Sequence, residues 1–463
     1  MNVSFQKPRT IYLIAFVIMA LGLALRLYHL NFQSLWYDEL HSIVPTDPKN
    51  TLSSLIEYCK RDQPPGYFIY LYCFFHVFGY NEVVGRLASV LLGVIAIAVM
   101  FFFGKEIRSE SAGLAAALLT SLNYMHIYYS QELRFYSMVF LTTSLSFFYL
   151  IRAFKNERNS DFALYVLFTT ALLYTHYYGL VIVAVQAIIF FILLWYRQKS
   201  FALKAAISGT LVVILFIPWL PVIFSDLQIA SFWLRKPEPT FLADYFYYYF
   251  GKDAFVTVVF VFLLFLFFKM FWEKSKHGSD FKPIYLLLTA WLVFSYLIPY
   301  IKSVVGPPML YVRYTMVSLP VWILMISIGW DQIRNGKLKN GIIIAVTISM
   351  MLNLFFFRRH YVRIDKQQFR EVSELIKEKN SRYPVYSLYA WHFNFYFKDY
   401  PVKIEEFDPA NLSGVNTFWL LQAEFFTPAE KDEVIDTLQG QFEIVERYPF
   451  HKTEAVLLRR FNQ

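Results

Sequence analysis

Charge is what this sequence holds least of: Asp, Glu, Lys and Arg together make up 17% of its 463 residues. A soluble globular chain is about one quarter charged and less apolar. Hydrophobic residues here reach 57% and aromatic residues 20%. Length alone would suggest roughly three soluble domains, but this hydropathy says that most of the chain is dissolved in lipid. Cysteine is also scarce. Cys59 and Cys73 lie in one segment and match no metal-ligand spacing. Because Cys73 sits in an apolar run, two free thiols are expected rather than a disulfide. No G-x-G-x-x-G and no P-loop occur, so nothing announces a nucleotide-binding fold. There is no internal repeat and no low-complexity tract. No small-residue cleavage site follows the first apolar run, which therefore reads as a membrane anchor.

What is present is a series of long apolar runs. A helix needs about 20 mostly apolar residues to cross the hydrocarbon core. Such runs occur near 11–30, 83–104, 111–128, 136–151, 162–176, 178–196, 205–224, 253–272, 283–301, 311–330 and 341–357. They predict an all-α polytopic membrane protein of about 11 transmembrane helices. The stretch PGYFIYLYCFFHVFG is apolar but too short to span, and reads as an interfacial or re-entrant helix. The formal charge of +9 would hint at nucleic acid in a soluble chain. Here Lys and Arg gather in short loops such as KEIRSE, RAFKNERNSD and DQIRNGKLKN, which encodes topology, so no nucleic-acid partner is expected. The positive-inside bias puts the N-terminus in the cytoplasm. The first loop (about 31–82), the loop at 225–252 and everything after about 358 then lie outside.

Residues 1–357 are thus expected to form the membrane region, and 358–463 a small extracytoplasmic α/β domain. In the latter, KQQFREVSELIKEKN places Phe369, Val372, Leu375 and Ile376 on one helical face. Thr427, Pro428 and Glu430 read as a capping box that opens a second helix ending at Gly440. PVYSLYA, TFWLLQA, FEIVERY and EAVLLRR read as short strands.

The polar residues that look chemical fall on the outer side. Asp38 and Glu39 follow the first span in SLWYDELHS. They are either solvated acids in an aromatic belt or a carboxylate held at the membrane surface as a general base. Lys60 and Arg61 precede QPPGYF, where they would grip phosphate or simply snorkel. Arg86 stands at the outer end of the second span, and YSQELRFY packs Glu132, Arg134 and Tyr136 into one turn. His176 sits in the tight turn THYYG, and Arg313 is placed about one turn inside the tenth span. Each has a plain alternative: Arg86 or Arg134 anchoring to membrane lipid phosphates, His176 capping a helix, Arg313 pairing with Glu132. Together they bring cations, acids and a histidine to one membrane level. A site for an anionic headgroup needs that set, since Arg holds phosphate oxygens bidentately.

The order of WYDE, QPPGYFIYL, FGYNEVVGRLASVLLG, YSQELRFY and the late VRYTMVSLP resembles bacterial GT-C glycosyltransferases. The nearest types are protein O-mannosyltransferases and lipid A aminoarabinose transferases. The resemblance covers roughly 10–330 and fades over the C-terminal domain. It implies an inverting hexosyl- or pentosyltransferase of the cell envelope, lodged in the plasma membrane. The donor would be a polyprenyl-phosphate-linked sugar, and the acceptor a lipid, glycan or protein. It also implies Asp38 as the base and Arg313 as a stabiliser of the departing lipid phosphate. Some relatives hold a divalent metal, but no His and carboxylate set here has metal-site spacing, so no cofactor is assigned and metal use stays open. Some relatives carry an acidic residue after the turn where this chain reads RFYSMVF, which leaves the role of Glu132 open. The rival reading is a transporter or flippase for lipid-linked or anionic substrates. That class places polar groups near the midplane and often shows repeated halves, whereas here they cluster at one face with no repeat.

Overall fold

The computed structural model describes residues 8–61, 63–194, 199–226, 234–276, 282–379, 382–424, 429–438 and 440–461. Every expected apolar run falls on a helix, the last two residues of 178–196 lying outside the described residues. Among the described residues, eight helices are long and apolar enough to cross a membrane: Arg9–Leu27, Glu82–Ile107, Tyr136–Asn156, Ser200–Ser225, Ala254–Glu273, Lys282–Val305, Tyr314–Asp331 and Gly336–Phe357. The chain is therefore a multi-pass membrane protein. The other three runs give shorter apolar helices, Glu110–Leu122, Asn159–Leu173 and Tyr178–Leu194. One cause of shortening is local. Asn123 adopts an extended backbone and its side chain accepts the His126 N–H at 2.9 Å, so the run splits into Glu110–Leu122 and a separate turn of helix, Tyr124–Ser130. The tenth run also begins differently from expectation. A 3₁₀ turn, Tyr314–Ser318, precedes the helix Leu319–Asp331, whose Pro320 suits a first turn that needs no donor there. Arg313 consequently stands at the entrance to this span and not one turn inside it.

The helices divide by what surrounds them. Within their most apolar 18 residues, 89% are buried in Tyr314–Asp331 and 78% in Tyr136–Asn156, against only 22% in each of Arg9–Leu27, Ser200–Ser225 and Gly336–Phe357. The outer helices expose Phe16, Val17, Val258 and Phe265, apolar surface that water would penalise and lipid accepts. The inner ones pack closely. A Cβ on Gly329 would lie 1.9 Å from the Leu263 carbonyl oxygen, so only glycine lets these two helices approach. Arg26 is wholly buried and fills a built socket. Its guanidinium donates to the carbonyls of Gly22, Ser121 and Thr120 and to the Ser130 hydroxyl, and its Nη2 lies 2.7 Å from His126 Nδ1.

The chain forms two compact units. The first holds the described residues up to Tyr28, Pro48–Tyr80 and Val84–His360, and the second holds His29–Asp47, Asn81–Val83 and the described residues from Tyr361 onward. The first outer loop is therefore shared, its beginning belonging with the C-terminal region. The apolar stretch after QPP is the 13-residue helix Gly66–Phe78.

The second unit contains a five-stranded sheet: β1 (Val385–Ser387), β2 (Glu405–Glu406), β3 (Thr417–Ala423), β4 (Phe442–Phe450) and β5 (Thr453–Arg460), in the order β2-β1-β3-β5-β4. β1 runs parallel to β2 and β3, while β5 pairs antiparallel with β3 and β4. TFWLLQA is buried at every position after the first, as a central strand covered on both faces should be. Phe418, Leu420, Val456 and Leu458 form the core with Ile435, Leu438 and Phe442. The expected helix is Phe369–Lys379, with Phe369, Val372 and Ile376 buried. The second expected helix is Ala429–Leu438. Its capping residues Thr427 and Pro428, and the Glu430 side chain, lie outside the described residues. The helix Ala390–Phe397, sequence AWHFNFYF, was not legible, because its rings follow no helical alternation of apolar and polar positions. Cys59 is buried and Cys73 exposed, and neither is in a disulfide.

Candidate active site

Asp38 and Glu39 stand in the first turn of a short helix, Tyr37–Ile43, within the second unit. Trp36 is extended ahead of it, and Glu39 at the third position accepts the Trp36 N–H at 3.4 Å. Leu40 and Ile43 are fully buried and anchor one face. The two acids then part ways. Glu39 is fully buried, and Lys366 Nζ meets its Oε2 at 2.9 Å, with Lys366 also buried. Removing one member of such a pair strands a buried charge. Asp38, half-buried, lies on the helix face that also carries His41.

In the first unit, His176 is the centre of a second constellation. It sits in the turn between Asn159–Leu173 and Tyr178–Leu194 and is nearly buried. Its ring lies 4.8 Å from that of Phe135, 5.2 Å from Tyr314 and 6.5 Å from Tyr136. The Tyr178 N–H donates to His176 Nδ1 at 3.0 Å, so the neutral ring carries its proton on Nε2. Burial first, then the charges of Arg134 and Arg313, push its pKa down to about 3. Arg134 lies 4.5 Å over the Phe135 ring, and Arg313 lies 5.3 Å over Tyr311 and 5.6 Å over Tyr314. Here a neutral donor is held beside two permanent cations, which suits oxyanion recognition.

Around this centre, Ser89 bonds the Arg134 carbonyl at 3.3 Å and the Tyr67 hydroxyl at 2.9 Å. Arg86, one turn earlier on that helix, is buried. Glu132 is buried, and its charge raises the pKa of Tyr248 on the neighbouring helix Phe241–Tyr249, after the larger effects of burial and Tyr124. The structure thus brings Arg134, Tyr136, His176 and Arg313 together, and Arg86 lies buried on the helix that carries Ser89. Lys60 and Arg61 are on an exposed turn after Leu52–Cys59, and Lys60 pairs with Glu57 at 2.5 Å. Asp38 and Glu39 belong to the other unit.

A groove of about 330 Å³, lined by Val99, Phe102, Leu145, Phe148 and Tyr149, opens near Lys105, Glu106 and Arg152. Its charges are engaged: Lys105 with Glu110 at 2.9 Å, Arg152 with Asp161 at 3.0 Å, and Glu106 with Lys155. That makes it a poor anion site despite its volume. Among the described residues, no group of three or more His, Cys, Asp and Glu side chains is placed to hold a metal ion.

Sequence reasoning missed Tyr314, Phe135 and Lys366. The first two adjoin Arg313 and Arg134 in sequence, so a search for rings beside the proposed cations finds them. Lys366 is 327 positions from Glu39, and no local signal reveals it.

Residues 62–222 match the family model described as dolichyl-phosphate-mannose-protein mannosyltransferase. Among curated proteins no sequence matches. Among solved structures, ArnT from Cupriavidus metallidurans in the apo state is similar with a TM-score of 0.65 and 11% identity, over 96% of this chain and 97% of that one. The same protein bound to undecaprenyl phosphate gives 0.59 and 11%, over 97% of each chain. AglB, an archaeal oligosaccharyltransferase from Archaeoglobus fulgidus in complex with an inhibitory peptide and a dolichol-phosphate, gives 0.59 and 9%, over 96% of this chain and 74% of that one. At these identities the likeness is one of fold, and it agrees with the GT-C resemblance of the sequence.

Proposed function

We propose that this chain is an inverting glycosyltransferase that moves a sugar from a polyprenyl phosphate to an acceptor hydroxyl at the extracytoplasmic face of the plasma membrane. The observation that carries the reading is the grouping of Arg134, Arg313 and neutral His176 on a GT-C fold. Support comes also from the mannosyltransferase family match and from two relatives of the same fold bound to polyprenyl phosphates. The orientation, with the N-terminus cytoplasmic and the C-terminal domain outside, rests on the Lys and Arg of the short loops.

In this mechanism the acceptor oxygen attacks the anomeric carbon from the face opposite the phosphate. The bond between that carbon and the phosphate oxygen breaks, and its electron pair leaves with the lipid phosphate. Arg134 and Arg313 stabilise the charge gathering there, and His176 Nε2–H adds a donor that brings no further positive charge. Asp38 accepts the acceptor proton, a role assigned from its place in WYDE. Glu39, engaged with Lys366, positions the helix that carries it.

The test is release of polyprenyl phosphate from a panel of lipid-linked hexoses and pentoses, with membrane extract as acceptor. Wild type should consume one donor, which names the sugar. Asp38→Asn should remain folded and lose roughly 10²–10⁴-fold in rate. Equal release by both removes Asp38 as the base. No release from any donor by folded wild type overturns the reaction and moves the weight to transport.

A further inference from the structure

The second unit carries an aromatic cluster that the transfer mechanism leaves unused. Tyr37 and His41 are four apart on the helix Tyr37–Ile43, with ring centroids 4.5 Å apart. His392, from the helix Ala390–Phe397, lies nearly parallel to Tyr37 at 4.8 Å and 26°. On the other side it lies nearly parallel to Phe369 at 5.8 Å and 18°. Trp391 meets His41 at 4.9 Å and stands edge-on to His392 at 4.8 Å.

Burial across this cluster is graded. Phe369 and His392 are buried, Tyr37 and His41 half-buried, and Trp391 is 36% exposed. Packing accounts for the inner stack, in which His392 joins the short helix to Phe369. It does not account for an indole left open beside His41. Asp38 lies between Tyr37 and His41 in sequence and shares a helix face with His41. Ring faces beside a carboxylate are what a sugar needs, since a pyranose has one face of C–H bonds that stacks on rings and a rim of hydroxyls that bonds a carboxylate. Charge points the same way. Burial, then the charge of His41, pushes the His392 pKa down to about 3, so the inner stack is neutral. A peptide would call instead for backbone donors and acceptors next to the acid, where this surface offers rings.

We infer that Tyr37, His41 and Trp391, backed by the buried His392, form a stacking platform for a pyranose ring, so that the acceptor is a carbohydrate presented beside Asp38. This deepens the proposed transferase reading and rests on it for the reaction, though not for the binding. The test uses the full chain in nanodiscs and saturation-transfer NMR with methyl α-mannopyranoside, methyl α-glucopyranoside, N-acetylglucosamine and a serine- and threonine-containing peptide. Wild type should transfer saturation to the ring C–H protons of at least one glycoside. Trp391→Ala should cut this by about fivefold, the scale of one lost ring stack, and Trp391→Phe should restore most of it. Asp38→Asn should still bind the glycoside. Glycoside binding that depends on Trp391, in a chain that releases no polyprenyl phosphate, would keep the platform and sink the transferase reading. No transfer to any glycoside, equal transfer in Trp391→Ala, or transfer to the peptide alone would each overturn the inference.

Discussion

Where the helix Glu82–Ile107 finishes, positive charges meet carboxylates. Lys105 pairs with Glu110 at 2.9 Å, Arg108 with Asp331 at 2.8 Å, Lys339 with Asp331 at 3.3 Å and Arg152 with Asp161 at 3.0 Å. Toward its start, positive charges meet rings: Arg134 lies over Phe135, and Arg313 over Tyr311 and Tyr314, with His176 against two of those rings. A carboxylate cancels a cation's charge inside the protein. A ring face attracts the cation through its quadrupole and leaves the net charge in place. Both ends are rich in Lys and Arg, and a count of charges does not separate them. The first end adds carboxylate pairs to its ring contacts, Lys339 also lying 4.3 Å over Trp330, and the second gathers its cations around His176; under the proposed function the chemistry belongs to the second.

The largest effect that would sharpen this contrast is on transfer itself. Arg134→Ala and Arg313→Ala should each lower the rate of polyprenyl phosphate release by roughly 10²–10³-fold, the scale of one lost oxyanion donor. Lysine at either place should recover only part of it, because an ammonium neither stacks flat on a ring nor forks onto two phosphate oxygens. The check is single-turnover release from the donor that wild type consumes. Full activity in both alanine variants would remove this cluster from the reaction.

Much of the fold was legible because hydropathy and the two structural periods act locally. The apolar runs became helices, and TFWLLQA and EAVLLRR became paired strands with Thr417 opposite Arg459. Whatever depends on distant partners was not legible. Asp38 and Glu39 are neighbours of equal charge, and burial of Glu39 against the distant Lys366 is among the differences that no local pattern shows. The fully buried Arg26 near the end of the first span has partners that no local pattern announces. Its socket of carbonyls from Gly22, Thr120 and Ser121 marks it as structural. The extended Asn123, which ends one helix and caps the next, is a one-residue decision inside an apolar run. Of the ten residues singled out in sequence, Arg134, Tyr136, His176 and Arg313 meet because their turns lie at one end of the bundle. That follows from the alternation of spans, which the sequence does carry.

A smaller effect is expected from His176. The folded chain holds it neutral, with a pKa pushed from 6.5 to about 3. The stability tied to that neutral ring is present above pH 6.5 and is lost as pH falls toward about 3, the range in which only the unfolded chain binds the proton. His176→Gln should therefore shrink the fall in Tm between about pH 7 and about pH 4, measured by thermal unfolding in detergent. A variant whose Tm falls as far as that of wild type would mean that His176 already takes up its proton in the folded chain.

The smallest effect belongs to the paired end and is the most direct way to break the contrast. Lys105 has a third of its side chain exposed, and besides Glu110 it meets the Tyr12 hydroxyl at 3.2 Å and lies 5.0 Å over the Tyr12 ring. Such a half-exposed pair contributes little, so Lys105→Ala should change stability by about 0.5 kcal/mol or less. Donor KM and the release rate should stay within about twofold of wild type, since under 0.5 kcal/mol is a small factor in any rate. The measurement is the same release assay, run beside Arg313→Ala on protein prepared in the same way. A loss with Lys105→Ala comparable to that with Arg313→Ala would mean that a lipid anion is also gripped where the carboxylates are. Pairing would then no longer separate the two ends, and the assignment of the chemistry to the ring-lined end would have to be given up.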